Sequence, residues 1–270
     1  MKKPVFINTC VFGVKKMPLI KDYVERYRDD IGFEILSMFD LPDFEQALIN
    51  AVPYFETQQI SFHGPVFFTE HSAPKGTKAY ESSMWHVNKT FEYAKRLGSR
   101  HFVMHLNNCT VIPSKKEEML YNALENYKEL EEMFGAIDCS IYVENTGTRL
   151  ERTMLLDQEE FIDLCRDKKF DVLIDVGHAH CNGWDLKHVI KSLSGQIKTY
   201  HLHNNDGLHD LHSRIHDGTL DFDDLMNTIL ELTPDADLVV EYTRPNLEGP
   251  GLHEDFMEIL NLSRSVHEKK

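Results

Sequence analysis

Short apolar segments recur along the chain at fairly regular intervals, and each has the length and composition of a buried β-strand. There are eight of them: VFINTCVFG (5–13), GFEILSMF (32–39), ISFHGPVFF (60–68), HFVMHL (101–106), CSIYVEN (139–145), VLIDVGHAH (172–180), IKTYHLH (197–203) and DLVVEY (237–242). These segments are too apolar for a sheet with one wet face, so they favour a parallel sheet covered on both sides.

Segments with helical spacing lie between the strands, with apolar residues three and four apart and charges on the opposite face. The clearest are LIKDYVERYRDD (19–30), SMWHVNKTFEYAKRLG (83–98), EEMLYNALENYKELEEMF (117–134) and DQEEFIDLCRDKKF (157–170). Eight strand-then-helix units of about 30 residues predict an α/β protein, a single (β/α)8 TIM-barrel domain over residues 1–270. A Rossmann sheet is disfavoured because no G-x-G-x-x-G follows the first strand.

Composition and charge argue against two classes of binding partner, membranes and nucleic acids. The 270 residues suit one barrel, no apolar run approaches the roughly 20 residues of a membrane span, and the N-terminus lacks a signal-peptide pattern. We therefore expect a cytoplasmic protein with no membrane partner. Lysines and arginines number 29 against 44 aspartates and glutamates, a net charge of −15 that argues against a nucleic-acid partner.

Residues that can bind metals fall at the carboxyl ends of six successive strands, where barrels carry their chemistry. They are His63, His105, Glu144, Asp175 with His178, His203, and Glu241. Each residue alone is weak evidence, but carboxylates at the ends of apolar strands are costly to bury unless they are neutralised. A divalent cation neutralises several at once, so the joint pattern predicts a metal site.

Taken in order, FHGP, VMHL, VENT, IDVGHAH, HLHNNDG, DLH and VVEY resemble the xylose-isomerase-like TIM-barrel superfamily. That superfamily includes sugar (phosphate) isomerases and epimerases as well as apurinic/apyrimidinic (AP) endonucleases of family 2. Its epimerase-like members imply one divalent ion, often manganese, held by Glu144, Asp175, His203 and Glu241. Its endonuclease-like members imply a zinc cluster of up to three ions at nine positions, which here are His63, His105, Glu144, Asp175, His178, His203, Asp210, His212 and Glu241.

The stretch YHLHNNDGLHDLHSRIHDG (200–218) contains five histidines, which spacing helps to sort. His201 and His203 share a strand face, but His203 lies nearer the mouth and is the better ligand, whereas His201 fills the barrel interior. Asp210 and His212 share a side if their loop is extended. The remaining candidates are substrate-binding groups: His180, Arg214 and Arg244, with surface salt bridging as the alternative for the two arginines.

Three functions remain open. The leading hypothesis is a divalent-metal-dependent isomerase or epimerase of a small-molecule sugar or sugar phosphate, in which Glu144 and Glu241 transfer protons. The nine-residue set favours instead a zinc-dependent AP-endonuclease-like phosphodiesterase, which the net charge opposes. A metal-binding barrel without catalysis is the third. The sequence leaves open the sugar, the choice of zinc or manganese, the number of ions and the oligomeric state.

Overall fold

The computed structural model describes residues 3–247 and 250–267, apart from the side chains of residues 244, 245, 266 and 267. Its eight strands pair in parallel and in chain order into a closed barrel. They are β1 (Val5–Asn8), β2 (Ile31–Leu36), β3 (Gln59–His63), β4 (His101–His105), β5 (Ser140–Glu144), β6 (Asp171–Asp175), β7 (Ile197–Leu202) and β8 (Asp237–Val240). Pairing of Phe6 with Val239 and of Ile7 with Val240 closes the barrel between β1 and β8.

Helices surround the barrel. They are α1 (Gly13–Lys16), α2 (Ile20–Tyr27), α3 (Phe44–Phe55), α4 (Lys78–Leu97), α5 (Lys116–Gly135), α6 (Gln158–Lys168), α7 (Val176–Cys181), α8 (Leu186–Leu193), α9 (Phe222–Leu232) and α10 (Gly251–His267). Short 3-10 turns lie at Thr9–Val11, Met17–Leu19, Arg28–Asp30, Pro113–Lys115 and Arg244–Leu247. No helix in these described ranges is long and apolar enough to cross a membrane.

The predicted (β/α)8 architecture is confirmed, and local sequence signals account for its elements. The four predicted helices coincide with α2, α4, α5 and α6. Helix α6 begins with a capping box, in which the Asp157 side chain accepts from the Glu160 N–H and Glu160 reaches back to the Asp157 N–H. Helix α4 ends at Gly98, whose left-handed backbone suits glycine.

Three apolar segments are extended over only part of their length. Strand β1 gives way to a 3-10 turn after Asn8, and β3 stops at His63. Strand β6 stops at Asp175, and the residues VGHAH form helix α7 rather than more strand. The cause at β6 is the Asp175 carboxylate, which accepts a 2.6 Å hydrogen bond from the His178 N–H and so caps the helix.

The strands are buried on both faces, but the two faces differ in chemistry. Outward residues such as Phe33, Phe62 and Ile174 belong to the apolar core under the helices. The inside of the barrel is polar at many positions, and the fully buried residues there include Asn8, Glu34, Ser61, His101, Asp175, Thr199 and His201. Because alternate strand residues point inward, the last residues of β3 to β6 converge on the carboxyl-terminal mouth.

Candidate metal centre at the barrel mouth

The nine predicted metal ligands all lie around the mouth. His63, His105, Glu144 and Asp175 are the last residues of β3, β4, β5 and β6, while His203 and Glu241 directly follow β7 and β8. His178 is on α7, and Asp210 and His212 are in the loop after β7. Contacts divide these residues into three overlapping groups.

The first group centres on Glu144. Its Oε2 lies 3.0 Å from Nε2 of His105 and 3.4 Å from Nε2 of His63. Glu144 and His63 are buried, and His105 is largely buried. One carboxylate oxygen and two imidazole nitrogens therefore face a shared point, and the three residues form one of the sets whose ligand atoms lie within 4.8 Å of one another.

The second group centres on Asp210. Its Oδ2 lies 3.2 Å from Nε2 of His178 and 3.2 Å from Nε2 of His212. His212 has a positive φ of 46°, so the loop is not extended at this residue, yet Asp210 and His212 are still brought together. These three residues form a second set of mutually close ligand atoms.

The third group lies between the other two and contains Asp175, His203 and Glu241. Nε2 of His203 is 3.0 Å from both oxygens of Asp175, and His203 also belongs with His212 and Glu241 to a set of mutually close ligand atoms. A Cβ on Gly177 would lie 1.9 Å from Cε1 of His203. Glycine at the start of α7 therefore allows the His203 ring to reach Asp175.

The carboxylates and histidines at the mouth perturb one another strongly. Burial raises the pKa of Glu144, Asp175 and Glu241, but the surrounding imidazoles outweigh it and hold each pKa below its usual range. Burial lowers the pKa of His212, but Asp210 outweighs it and raises the pKa to about 9. The mouth is thus a cluster of anionic carboxylates with histidines, and the pKa of three of these, His63, His178 and His212, is raised.

The donor set fits divalent metal ions. In three histidines Nδ1 donates to a fixed oxygen, which is the Gly64 carbonyl for His63 at 2.8 Å, Asn108 Oδ1 for His105 at 2.7 Å and the Glu241 carbonyl for His212 at 3.1 Å. Each Nε2 then faces a carboxylate oxygen, and two acceptors attract only if a proton or a cation lies between them. Three buried atoms of the predicted ligands, Nδ1 of His178, Nδ1 of His203 and Oδ1 of Asp210, have no hydrogen-bond partner among the described residues. Imidazole and carboxylate are the ligands that zinc and manganese take, and hydrogen bonds to the far ring nitrogen orient such ligands.

Two of the three predicted substrate-binding residues, His180 and Arg214, are not brought to these groups. His180 is two residues from His178 on α7 and so faces away from it, with Nε2 2.8 Å from Oγ1 of Thr219. The guanidinium of Arg214 donates to both oxygens of Asp255 on α10, at 2.9 and 2.7 Å. The side chain of Arg244 lies outside the described residues.

Three buried residues next to the mouth were not predicted as part of the site. Asn8 ends β1, Glu34 lies in the middle of β2, and His201 was expected only to fill the barrel interior. Nδ1 of His201 lies 3.1 Å from Glu241, 3.6 Å from Asp175 and 3.7 Å from Glu144, so it faces three predicted ligands. The available sequence signal for Glu34 was a single acid within an otherwise apolar strand.

The fold is a TIM barrel, and the histidines and carboxylates at its carboxyl-terminal mouth form a candidate metal site. A family model described as xylose isomerase-like TIM barrel matches residues 22–262, and the chain belongs to that family. No curated protein sequence matches the chain significantly.

Solved structures share the fold at low identity. A D-tagatose 3-epimerase-like protein has a TM-score of 0.74 at 18% identity, over 96% of this chain and 98% of its own. The IOLI protein with a bound zinc atom gives 0.70 at 17%, over 98% and 96%. The TTHB071 protein from Thermus thermophilus, soaked with ZnCl2, gives 0.70 at 14%, over 100% and 99%. At these identities the similarity establishes the fold.

Proposed function

We propose that this protein is a divalent-metal-dependent isomerase or epimerase acting on a small sugar or sugar phosphate. The observation that supports this most is the pairing of Glu144 and Glu241. They come from different strands, both are buried, and both approach Nδ1 of His201, at 3.7 and 3.1 Å. Two carboxylates that face one small volume can remove a proton from a carbon and return one.

Glu144, Asp175, His203 and Glu241 are the residues that would hold the principal ion, which supplies polarisation of the sugar carbonyl and acidifies the neighbouring C–H. One glutamate takes the proton from that carbon, and the electron pair of the broken C–H bond moves towards the carbonyl oxygen. The other glutamate, after taking up a proton from solvent, delivers it to the substrate. Delivery to the opposite face of the same carbon gives an epimer. Delivery to the former carbonyl carbon, with the proton of the neighbouring hydroxyl passing to the former carbonyl oxygen, gives the aldose–ketose isomer. The structural similarity to the D-tagatose 3-epimerase-like protein supports this choice of substrate class.

Solvent exchange tests the proposal directly. The protein loaded with Mn²⁺ or Zn²⁺ is incubated in D₂O with ketoses, aldoses and their phosphates, and deuterium at the carbon next to the carbonyl is measured by NMR. We expect exchange with at least one sugar, and we expect Glu144→Gln and Glu241→Gln each to lower its rate by about 10²- to 10⁴-fold. Glu159→Gln, an exposed acid on α6, is the matched control and should leave the rate unchanged. Absence of exchange across the whole panel contradicts the proposal.

A second candidate is phosphodiester hydrolysis by a multinuclear metal cluster. The observation that favours it is the presence of two further groups, His63 with His105 and Glu144, and Asp210 with His178 and His212. Several clustered ions can activate a water and stabilise the leaving oxygen. The net charge of −15 opposes binding to DNA. Cleavage of a duplex that contains an abasic site, at moderate salt and without sugar exchange, would reverse the ranking.

A further inference from the structure

A ring of three hydrogen bonds and one charged contact lies directly beneath the metal-ligand candidates and links Glu34 to Glu241. Nδ2 of Asn8 donates to Oε1 of Glu34 at 2.9 Å and to Oε1 of Glu241 at 2.8 Å. On the other side, Nε2 of His201 lies 2.7 Å from the same Oε1 of Glu34, and its Nδ1 lies 3.1 Å from Oε2 of Glu241. Asn8, Glu34 and His201 are completely buried.

The orientation of this ring is fixed from outside. Oδ1 of Asn8 accepts a 2.9 Å hydrogen bond from the Cys10 N–H and caps the 3-10 turn Thr9–Val11. The amide therefore cannot flip, and its NH₂ group must point at the two carboxylates. Since Asn8 holds one oxygen of Glu241 and His201 faces the other, rotation of the Glu241 carboxylate about its last bond is restricted.

Glu34 contributes to the site only through these neighbours. It belongs to none of the sets of mutually close ligand atoms found among the described residues. Its hydrogen-bond partners are Asn8 and His201, and its other oxygen lies 3.6 Å from Nε2 of the buried His101. A carboxylate without solvent contact is costly to bury, and apolar residues of similar volume often stabilise a fold as well as a buried ion pair does. Fold stability therefore does not by itself explain a carboxylate at this depth.

We propose that Asn8, Glu34 and His201 act as a positioning unit that holds the Glu241 carboxylate in the orientation needed for ligation and proton transfer. The inference rests on the proposed function for its catalytic part. Glu34 serves as the common anchor, because it accepts from both residues that hold Glu241. None of the three touches the sugar in this scheme; they act through Glu241.

Substitutions at two positions, Asn8 and Glu34, separate the positioning unit from simple packing. Asn8→Ser retains a hydroxyl that can cap the turn but removes the donor to both carboxylates. Glu34→Ala removes the anchor, whereas Glu34→Gln retains an oxygen that can accept from Asn8 and His201. Thr199→Val is the matched control, because Thr199 is equally buried on β7, two residues before His201, and its hydroxyl has no hydrogen-bond partner within the described ranges.

Two measurements are made on each variant. The first is titration with Co²⁺, followed by its visible absorption, which reports affinity and ligand geometry without any substrate. The second is kcat and KM for the exchange reaction. We expect Asn8→Ser and Glu34→Ala to weaken Co²⁺ binding about 10- to 100-fold and to lower kcat by a similar factor with little change in KM. We expect Glu34→Gln to recover most of both, and Thr199→Val to match the parent.

The outcomes distinguish this inference from the proposed function. If Asn8→Ser and Glu34→Ala lower only the melting temperature, with Co²⁺ spectrum, affinity and kcat unchanged, the positioning unit is wrong. If Glu34→Ala does not fold, Asn8→Ser and Glu34→Gln still decide the question. If the parent binds Co²⁺ but exchanges no sugar, the proposed function fails while the effect on metal binding still supports the unit. A parent with neither property overturns both.

Discussion

The two ends of the barrel treat buried carboxylates in different ways. At the amino-terminal end, Asp237 begins β8 and is buried, and its two oxygens each lie 3.1 Å from a permanent cation, one from Lys3 and the other from Arg100. At the mouth, the charged partners of four carboxylates are all histidines in the part of the chain that the structure describes; the carboxylates are those of Glu144, Asp175, Asp210 and Glu241.

The difference is between carboxylates with a permanently charged partner and carboxylates whose histidine partners can give up a proton. Lysine and arginine keep their charge at all ordinary pH values, so they neutralise a carboxylate permanently. An imidazole can lose its proton and then offer a lone pair to a metal ion. The amino-terminal end is therefore built for stability, whereas the mouth has the chemistry of a ligand site.

The largest effect should come from metal itself. We expect Zn²⁺ or Mn²⁺ at 100 times its dissociation constant to stabilise the metal-free protein by about 2.7 kcal/mol, because the ion binds only the folded mouth. Thermal unfolding with and without a chelator measures this. Asp237→Asn should show the same gain, since that change is at the other end of the barrel. Equal melting temperatures with metal and with chelator would contradict the contrast between the two ends.

A smaller effect is expected from removing the ion pairs that Asp237 forms at the amino-terminal end of the barrel. Asp237→Asn removes the charge that Lys3 and Arg100 share, and we expect the free energy of unfolding to fall by about 1–3 kcal/mol. Metal affinity should not change. Asp235→Asn, an exposed neighbour, is the control and should stay within about 0.5 kcal/mol of the parent. A loss of metal affinity in Asp237→Asn, measured by titration, would show that the two ends are coupled.

Much of the mouth could be predicted from the sequence, because it depends on local order. Parallel strands in a barrel all end at the same mouth, so a histidine or an acid after each apolar run can be assigned without knowing the register. His63, His105 and Glu144 are of this kind. Asp175 is also at the end of its strand, as predicted, although the residues after it form helix α7 and not more strand. Its own side chain caps that helix.

The remaining contacts depend on residues that are distant in the chain. Glu34 meets His201 at a separation of 167 residues, and Asn8 meets Glu241 at 233, which requires the register of the closed barrel. Arg214 is a candidate for binding substrate because it lies within the histidine-rich stretch 200–218. Its pairing with Asp255 depends on where α10 packs, and no local pattern indicates that position.

Per unit of pH, the smallest of the expected effects is the dependence of metal-free stability on pH. His212 has a pKa of about 9 in the folded protein and close to 6.5 when exposed, because Asp210 outweighs the effect of burial. Between these values the folded state binds a proton that the unfolded state has lost. The stabilisation by His212 is therefore complete below pH 6.5 and is lost as the pH rises through about 9, at no more than about 1.4 kcal/mol per pH unit.

Urea unfolding in chelator from pH 6.5 to 9 measures this slope, and His212→Gln should make it shallower. If the stability of the parent is constant over this pH range, or if the variant has the same slope as the parent, His212 does not hold an extra proton in the folded state.

With metal present, the sign of the pH dependence should reverse. The ion replaces the proton at His212, so its affinity and the stability that it adds increase as the pH rises towards 9. A mouth that loses stability with pH when metal-free and gains it when loaded is one in which protons and metal ions compete for the same imidazoles.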